Sequence, residues 1–193
     1  ALRDRDTIAL QDYSEQLAGL TEKTGQDIWM MIRAHMNAEM NRMQGNLDEA
    51  AALYDESMAI AKSIGSMGMY ADEHFNKSFI AVEQGEFEEA AKLIKGYFDI
   101  MKERNPDRED AYGLIALVNF LSKQDDLQGA ATVAYTARRL FEEEDIVPDP
   151  ADEAPMAAAE LRVDKELALK FRDSILENAK TLKVSNLLEQ YLD

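Results

Sequence analysis

Apolar residues recur along most of the chain at the three- and four-residue spacing of an amphipathic α-helix. Between these stretches stand short breaks that carry glycine, proline or acidic residues, which end one helix and begin the next. We therefore expect an all-α protein. The predicted helices cover residues 6–22, 26–44, 47–64, 67–84, 87–104, 110–124, 127–144, 155–183 and 184–192.

One of these breaks occurs three times, forty residues apart, as GNLDEAA at 45–51, GEFEEAA at 85–91 and DDLQGAA at 125–131. The glycine supplies a left-handed residue that ends one helix, and the acidic residues favour the first turn of the next. A fixed period of this size is typical of stacked helical units, none of which can bury its apolar face alone. The third copy has Asp125 where glycine is expected, which predicts a looser turn there.

The motif resembles the turn of the tetratricopeptide repeat, a pair of antiparallel helices, although the period is longer than the usual ~34 residues. It is similar to the longer repeats in the sensor domains of large bacterial transcription activators. The resemblance covers residues 5–145 and implies a right-handed α-solenoid of antiparallel helix hairpins in a single domain, 1–193. The expected parts are repeat units at about 26–65, 66–105 and 106–145, and a helical C-terminal cap at about 155–193.

Composition narrows the choice of partner. The chain has 193 residues, of which 46% are hydrophobic, enough for a continuous core. Its 38 acidic and 21 basic residues give a formal net charge of −17, which repels nucleic-acid phosphates. We expect a neutral or basic protein or peptide partner and no direct nucleic-acid contact. The acidic, proline-containing segment 142–150 is predicted to be a solvated linker.

Several chemistries find no support in the residues. The chain has no cysteine, so disulfides, thiolate metal sites and cysteine nucleophiles are excluded. It shows no glycine-rich phosphate loop and no nucleophile elbow, and we expect neither catalysis nor a cofactor. No apolar run is long enough for a membrane span, and the first residues do not resemble a signal peptide. These features favour a cytoplasmic protein without membrane contact.

The resemblance also implies where a ligand would bind, because the first helix of each tetratricopeptide hairpin lines the concave surface. An asparagine amide there can pair with both the N–H and the C=O of an extended peptide, which favours Asn76 and Asn119. Apolar walls with a few polar anchors are typical of binding pockets. The candidate concave residues are His35, Glu39, Asp72, Phe75, Asn76, Phe79, Tyr112 and Asn119.

One branch of the family grips the terminal carboxylate of acidic peptides with lysines, an arginine and asparagines. Only Asn76 matches that pattern here. The lysine positions hold His35 and Tyr112, the arginine position holds Ala116, and the other asparagine position holds Glu39. The departure indicates that acidic peptide tails are not the ligand, in agreement with the charge of the chain.

The function predicted on these grounds is a non-catalytic scaffold that binds a protein or peptide, as the sensory or docking domain of a signalling or transcription-regulatory system. One alternative is a self-association module, in which the first helix or the apolar segment 187–192 packs against a second copy. Another is a small helical metalloprotein that uses His35, Glu39 and His74, although these residues lack a known metal-ligand spacing.

Overall fold

A computed structural model describes residues 7–106, 110–148, 150–166 and 169–192. This part of the chain contains ten α-helices and no strand, which confirms the expected all-α class. The helices are α1 (Thr7–Thr24), α2 (Asp27–Gln44), α3 (Leu47–Ser63), α4 (Met67–Gln84), α5 (Phe87–Arg104), α6 (Ala111–Lys123), α7 (Leu127–Glu143), α8 (Pro150–Glu166), α9 (Leu169–Ala179) and α10 (Val184–Leu192). None of the helices so described is both long and apolar enough to cross a membrane.

Left-handed residues end several helices at a twenty-residue interval, which is interrupted at Asn105, where φ is −147°. Positive φ angles occur at Gly25, Gly45, Gly65 and Gly85, and at two aspartates, Asp125 and Asp145. After five of these six residues, the next N–H donates to the carbonyl five positions earlier, at 2.8–3.0 Å, as in Asn46 to Asn41. This is the Schellman arrangement, which pairs carbonyls that a helix end leaves without partners.

The third copy of the motif has the same turn as the first two. Asp125 adopts φ 63°, close to the 77° of Gly85, and the Asp126 N–H reaches the Leu121 carbonyl at 3.0 Å. The expectation of a looser turn was therefore wrong. Asp126 adds a helix cap, since its carboxylate accepts from the Gly129 N–H at 2.8 Å.

The described chain divides into two compact units, one ending at Ile80 and the other beginning at Ala81. In the first unit, α2 and α3 form a tightly packed antiparallel hairpin. Ala38 of α2 meets Ala50 and Tyr54 of α3 and Ile80 of α4 in one buried cluster. The small alanine side chains allow the helix backbones to approach closely, and so Tyr54 is fully enclosed.

The second unit is built around α6. Eight of its residues between Gly113 and Leu121 are buried, and the helix packs against α5, α7 and α8. A helix that is apolar on all sides belongs in the centre of its unit. A second cluster joins α7 to the C-terminal helices through Ala131, Val163 and Ile175.

The C-terminal region differs from the prediction. Instead of one helix over 155–183, α8 begins at Pro150 and a separate α9 begins at Leu169, while residues 167 and 168 lie outside the described residues. Proline is well tolerated at the first helical position, so Pro150 rather than Pro155 starts the helix. The predicted linker 142–150 is correspondingly shorter, with 144–148 outside the helices. In α10, Leu187 is fully buried within the chain.

Candidate functional site

A fully buried carboxylate, that of Glu73 on α4, lies at the centre of a polar network in the first unit. The Ser57 hydroxyl of α3 donates to its Oε1 at 2.6 Å, and the Asn76 amide donates to its Oε2 at 3.2 Å. The imidazole of His35 on α2 donates from Nδ1 to both oxygens, at 3.0 and 3.2 Å. Three helices thus supply donors to one carboxylate, which compensates for its removal from water.

A second carboxylate, that of Glu39, is buried one turn along α2 from His35. Its Oε1 accepts from the Tyr54 hydroxyl, and its Oε2 accepts from Arg42 Nη2 at 2.7 Å. Burial, together with the charge of Glu39, raises the pKa of Tyr54 above its ordinary value. The phenol therefore remains a donor throughout the physiological pH range.

His35 lies between the two carboxylates, with 20% of its side chain exposed. Burial alone would lower the pKa of His35, but the hydrogen bond and charge of Glu73, with the charges of Glu39 and Asp72, raise it above 6.5. The site thus favours an imidazolium ion. Ser57 donates to the carboxylate and not to the imidazole, so these side chains do not form the nucleophile and base pair of covalent catalysis.

Next to the network, α4 presents an aromatic surface. The rings of Phe75 and Phe79 meet edge to face with centroids 5.1 Å apart, and both side chains are half-buried. Asp72 is exposed at one end of this row. Partly exposed aromatic rings beside fixed polar groups are typical of surfaces that bind peptides or other proteins.

The structure brings six of the eight predicted residues into the first unit. His35 and Glu39 lie on α2, and the other four lie on α4 within two turns of one another. Of the six, His35 and Asn76 share one partner, Glu73. The remaining two predicted residues belong to α6 of the second unit, where Tyr112 packs edge to face on Phe141 and Asn119 is half-buried.

Sequence reasoning missed the residues that organise this site, namely Glu73, Ser57 and Tyr54. Glu73 is difficult to single out in the sequence because it is one of 38 acidic residues. A signal was present on α3, where the buried stripe Ala50, Tyr54, Ser57, Ala61 carries two hydroxyl groups. Hydroxyl groups on a buried stripe need buried partners, and a carboxylate on the next helix can supply them.

The metal alternative named His35, Glu39 and His74. In the part of the chain that the structure describes, no group of three or more histidine or acidic side chains could hold a metal ion. His74 instead donates from Nδ1 to the Tyr70 carbonyl at 2.8 Å, on its own helix.

The chain matches no protein-family model and no curated protein. Its function therefore has to be inferred from the geometry of its own residues.

Proposed function

We propose that this protein is a non-catalytic scaffold that binds a protein or an extended peptide on the surface of α2 and α4. The observation that carries the proposal is the row formed by Asp72, Phe75 and Phe79. This row lies beside His35 and Asn76, which both donate to the carboxylate of Glu73. The phenyl rings offer apolar contact area, and Asp72 offers a charge at the edge. The buried network beneath holds the polar members in place before a ligand arrives, which lowers the entropic cost of binding.

A neutral or basic ligand fits this surface. The chain carries a net charge of −17, and Asp72 is exposed in the row. A positively charged segment would be attracted and an acidic one repelled. This charge balance supports a protein or peptide ligand over nucleic acid.

The scaffold we propose is a right-handed, tetratricopeptide-like solenoid that is capped by the C-terminal helices. Two regularities support it. The left-handed turns recur at twenty-residue intervals, except at Asn105. In each unit, moreover, the first helix of a hairpin packs on the second helix, as α2 does on α3 and α6 on α7. Such repeats serve as docking and sensory domains, and we place this chain in a signalling or transcription-regulatory system in the cytoplasm on that ground alone.

Co-purification followed by mass spectrometry tests the proposal. The wild-type chain, an Asp72→Lys, Phe79→Ala variant and a Val147→Ala control would be recovered from extract of the native cell. The control position is 86% exposed and lies in the second unit. A partner retained by wild type and control but lost by the double variant would support the surface of α2 and α4. A partner retained equally by all three would contradict it.

A further inference from the structure

An open apolar groove lies between α1 and α2 in the first unit. Its volume is about 330 Å³, and its apolar lining is Leu10, Tyr13, Leu17, Leu20, Ile32 and Met36. Two of these side chains are substantially exposed, Tyr13 at 52% and Leu20 at 39%. None of the eight residues predicted for the concave surface lines this groove, so any role of the groove is independent of the proposed function.

The forty-residue repeat shows what occupies the equivalent groove further along the chain. A shift of forty places Leu10 on Ala50, Leu17 on Ser57, Ile32 on Asp72 and Met36 on Asn76. The equivalent groove therefore lies between α3 and α4, and α2 fills it. The Ser57 hydroxyl oxygen lies 3.3 Å from the Met31 carbonyl of α2, and the side chains of His35 and Glu73 meet across the groove.

The second unit repeats the arrangement. A shift of eighty residues places α2, α3 and α4 on α6, α7 and α8. There α6 packs against both α7 and α8, and its Tyr112 ring lies 5.2 Å from the Phe141 ring of α7. In both units, then, the groove between two such helices holds a third helix that is antiparallel to the first of them, because short connections join antiparallel neighbours.

We propose that the groove between α1 and α2 is a docking site for an amphipathic helix of a partner protein, antiparallel to α1. Leucine-like side chains of that helix at positions i, i+3 and i+7 would cover the apolar lining. One position differs in charge from its equivalent. Arg33, which is exposed, stands where Glu73 stands in the next repeat. Because Glu73 faces the cationic partner His35 in the filled groove, Arg33 selects a docked helix with a carboxylate at that position.

A partner helix fits better than a second copy of the chain. A second copy would bring another net charge of −17 to the interface, and its own α1 would add Asp12, Glu15 and Glu22 beside the same three residues. Like charges at short range oppose such a dimer. A helix from another protein can combine the apolar stripe with a single carboxylate and carry no such excess.

The only tryptophan of the chain reports on the groove. Trp29 is half-buried and precedes Ile32 by three residues and Met36 by seven, which places all three on one face of α2. Two synthetic helical peptides of alanine background serve as probes, each with leucines at i, i+3 and i+7. One has glutamate and the other lysine at the position that faces Arg33. Tryptophan fluorescence of the full chain is recorded during titration with each peptide.

We expect the glutamate peptide to bind at least about tenfold more tightly than the lysine peptide, an order of magnitude that one desolvated charge pair can supply. Arg33→Glu should reverse this preference, and Tyr13→Asp should abolish the binding of both peptides. Val147→Asp, a substitution at an exposed site of the second unit, should leave the titration unchanged. Circular dichroism of each variant establishes that its helices are retained.

Two results would overturn the proposal. One is a tryptophan fluorescence signal that does not saturate with either peptide at concentrations up to about 1 mM. A dissociation constant above about 1 mM would be too weak for specific docking. The other is a molecular mass of two chains by light scattering that falls to one chain in Tyr13→Asp, which would assign the groove to a second copy. The proposed function is tested with substitutions at Asp72 and Phe79, whereas the groove is tested with substitutions at Tyr13 and Arg33. Either proposal can therefore fail without the other.

Discussion

The imidazole of His35 on α2 donates to the carboxylate of Glu73 on α4, with Nδ1 lying 3.0 Å from one oxygen and 3.2 Å from the other. The acceptor is fully buried, and it also receives the Ser57 and Asn76 donors. A network in which every member has a partner rigidifies the helices that contribute to it. This contact therefore bears both on the stability of the first unit and on the surface that we propose for ligand binding.

The stability of the protein should fall as pH rises through neutrality, because the folded state raises the pKa of His35 above 6.5. The stabilisation by protonated His35 is complete below the pKa of His35 in the unfolded state. It is lost as the pH rises from that value through the higher pKa of His35 in the folded state. Urea denaturation between about pH 5 and pH 8 measures the slope. His35→Gln should remove the part of the pH dependence that comes from His35. The other histidine, His74, is present in both proteins. Equal slopes for wild type and variant would contradict the prediction.

Glu73→Gln should destabilise the protein by about 2 kcal/mol, because an amide has one oxygen to accept from donors that now serve a carboxylate. Glu56→Gln is the matched control. Glu56 lies on α3 in the same unit but is exposed, so the same change should stay within about 0.5 kcal/mol of wild type. Denaturant unfolding of the three proteins gives the comparison, and equal losses for both variants would show that the network contributes nothing particular.

Much of the helical pattern could be predicted because its signals are local. The bounds of α4 and α5 agree with the prediction at all four ends. The turn motif at 85–91 separates the two helices, and Gly65 and Pro106 lie next to their other ends. The division of the C-terminal region into α8 and α9 carries no such local signal. A prediction that assumes one continuous helix over 155–183 therefore assigns the wrong residues to a common face once the region divides into α8 and α9.

The candidate site could be predicted only in part. The repeat register places His35 and Asn76 on neighbouring helices, but which acidic residue they meet depends on packing between helices that are distant in sequence. Glu73 is one of 38 acidic residues, and nothing local distinguishes it from Asp72. The two residues differ in the folded protein, where Glu73 is fully buried and Asp72 is exposed. This difference depends on how the helices of the unit pack.

Replacing glycine with alanine should change the stability of the protein in opposite directions at two positions inside helices. At Gly113 of α6 an added Cβ would lie 2.6 Å from the Tyr97 ring and would overlap the Phe98 ring, so overpacking should cost about 1–3 kcal/mol. At Gly19 of α1 the same Cβ would have no neighbour within 4 Å. Gly19→Ala should therefore stabilise the protein by about 0.5–1 kcal/mol through helix propensity. Thermal unfolding compares the two variants, and a shift in the same direction for both would refute this account.

Exchanging the left-handed residues of the second and third copies of the motif, Gly85 and Asp125, tests how much stability the left-handed conformation costs. Gly85→Asp should destabilise by about 1 kcal/mol, because an L side chain at φ 77° meets the backbone strain that glycine avoids.

Asp125→Gly should stabilise by about 0.5 kcal/mol for the converse reason. Asp125 also forms an exposed ion pair with Arg162 at 2.8 Å, which opposes the gain. The measurement is therefore made at about 1 M salt, where such pairs are screened. Because both turns share the same hydrogen-bonding pattern, opposite shifts would identify φ as the cause, and shifts in the same direction would exclude it.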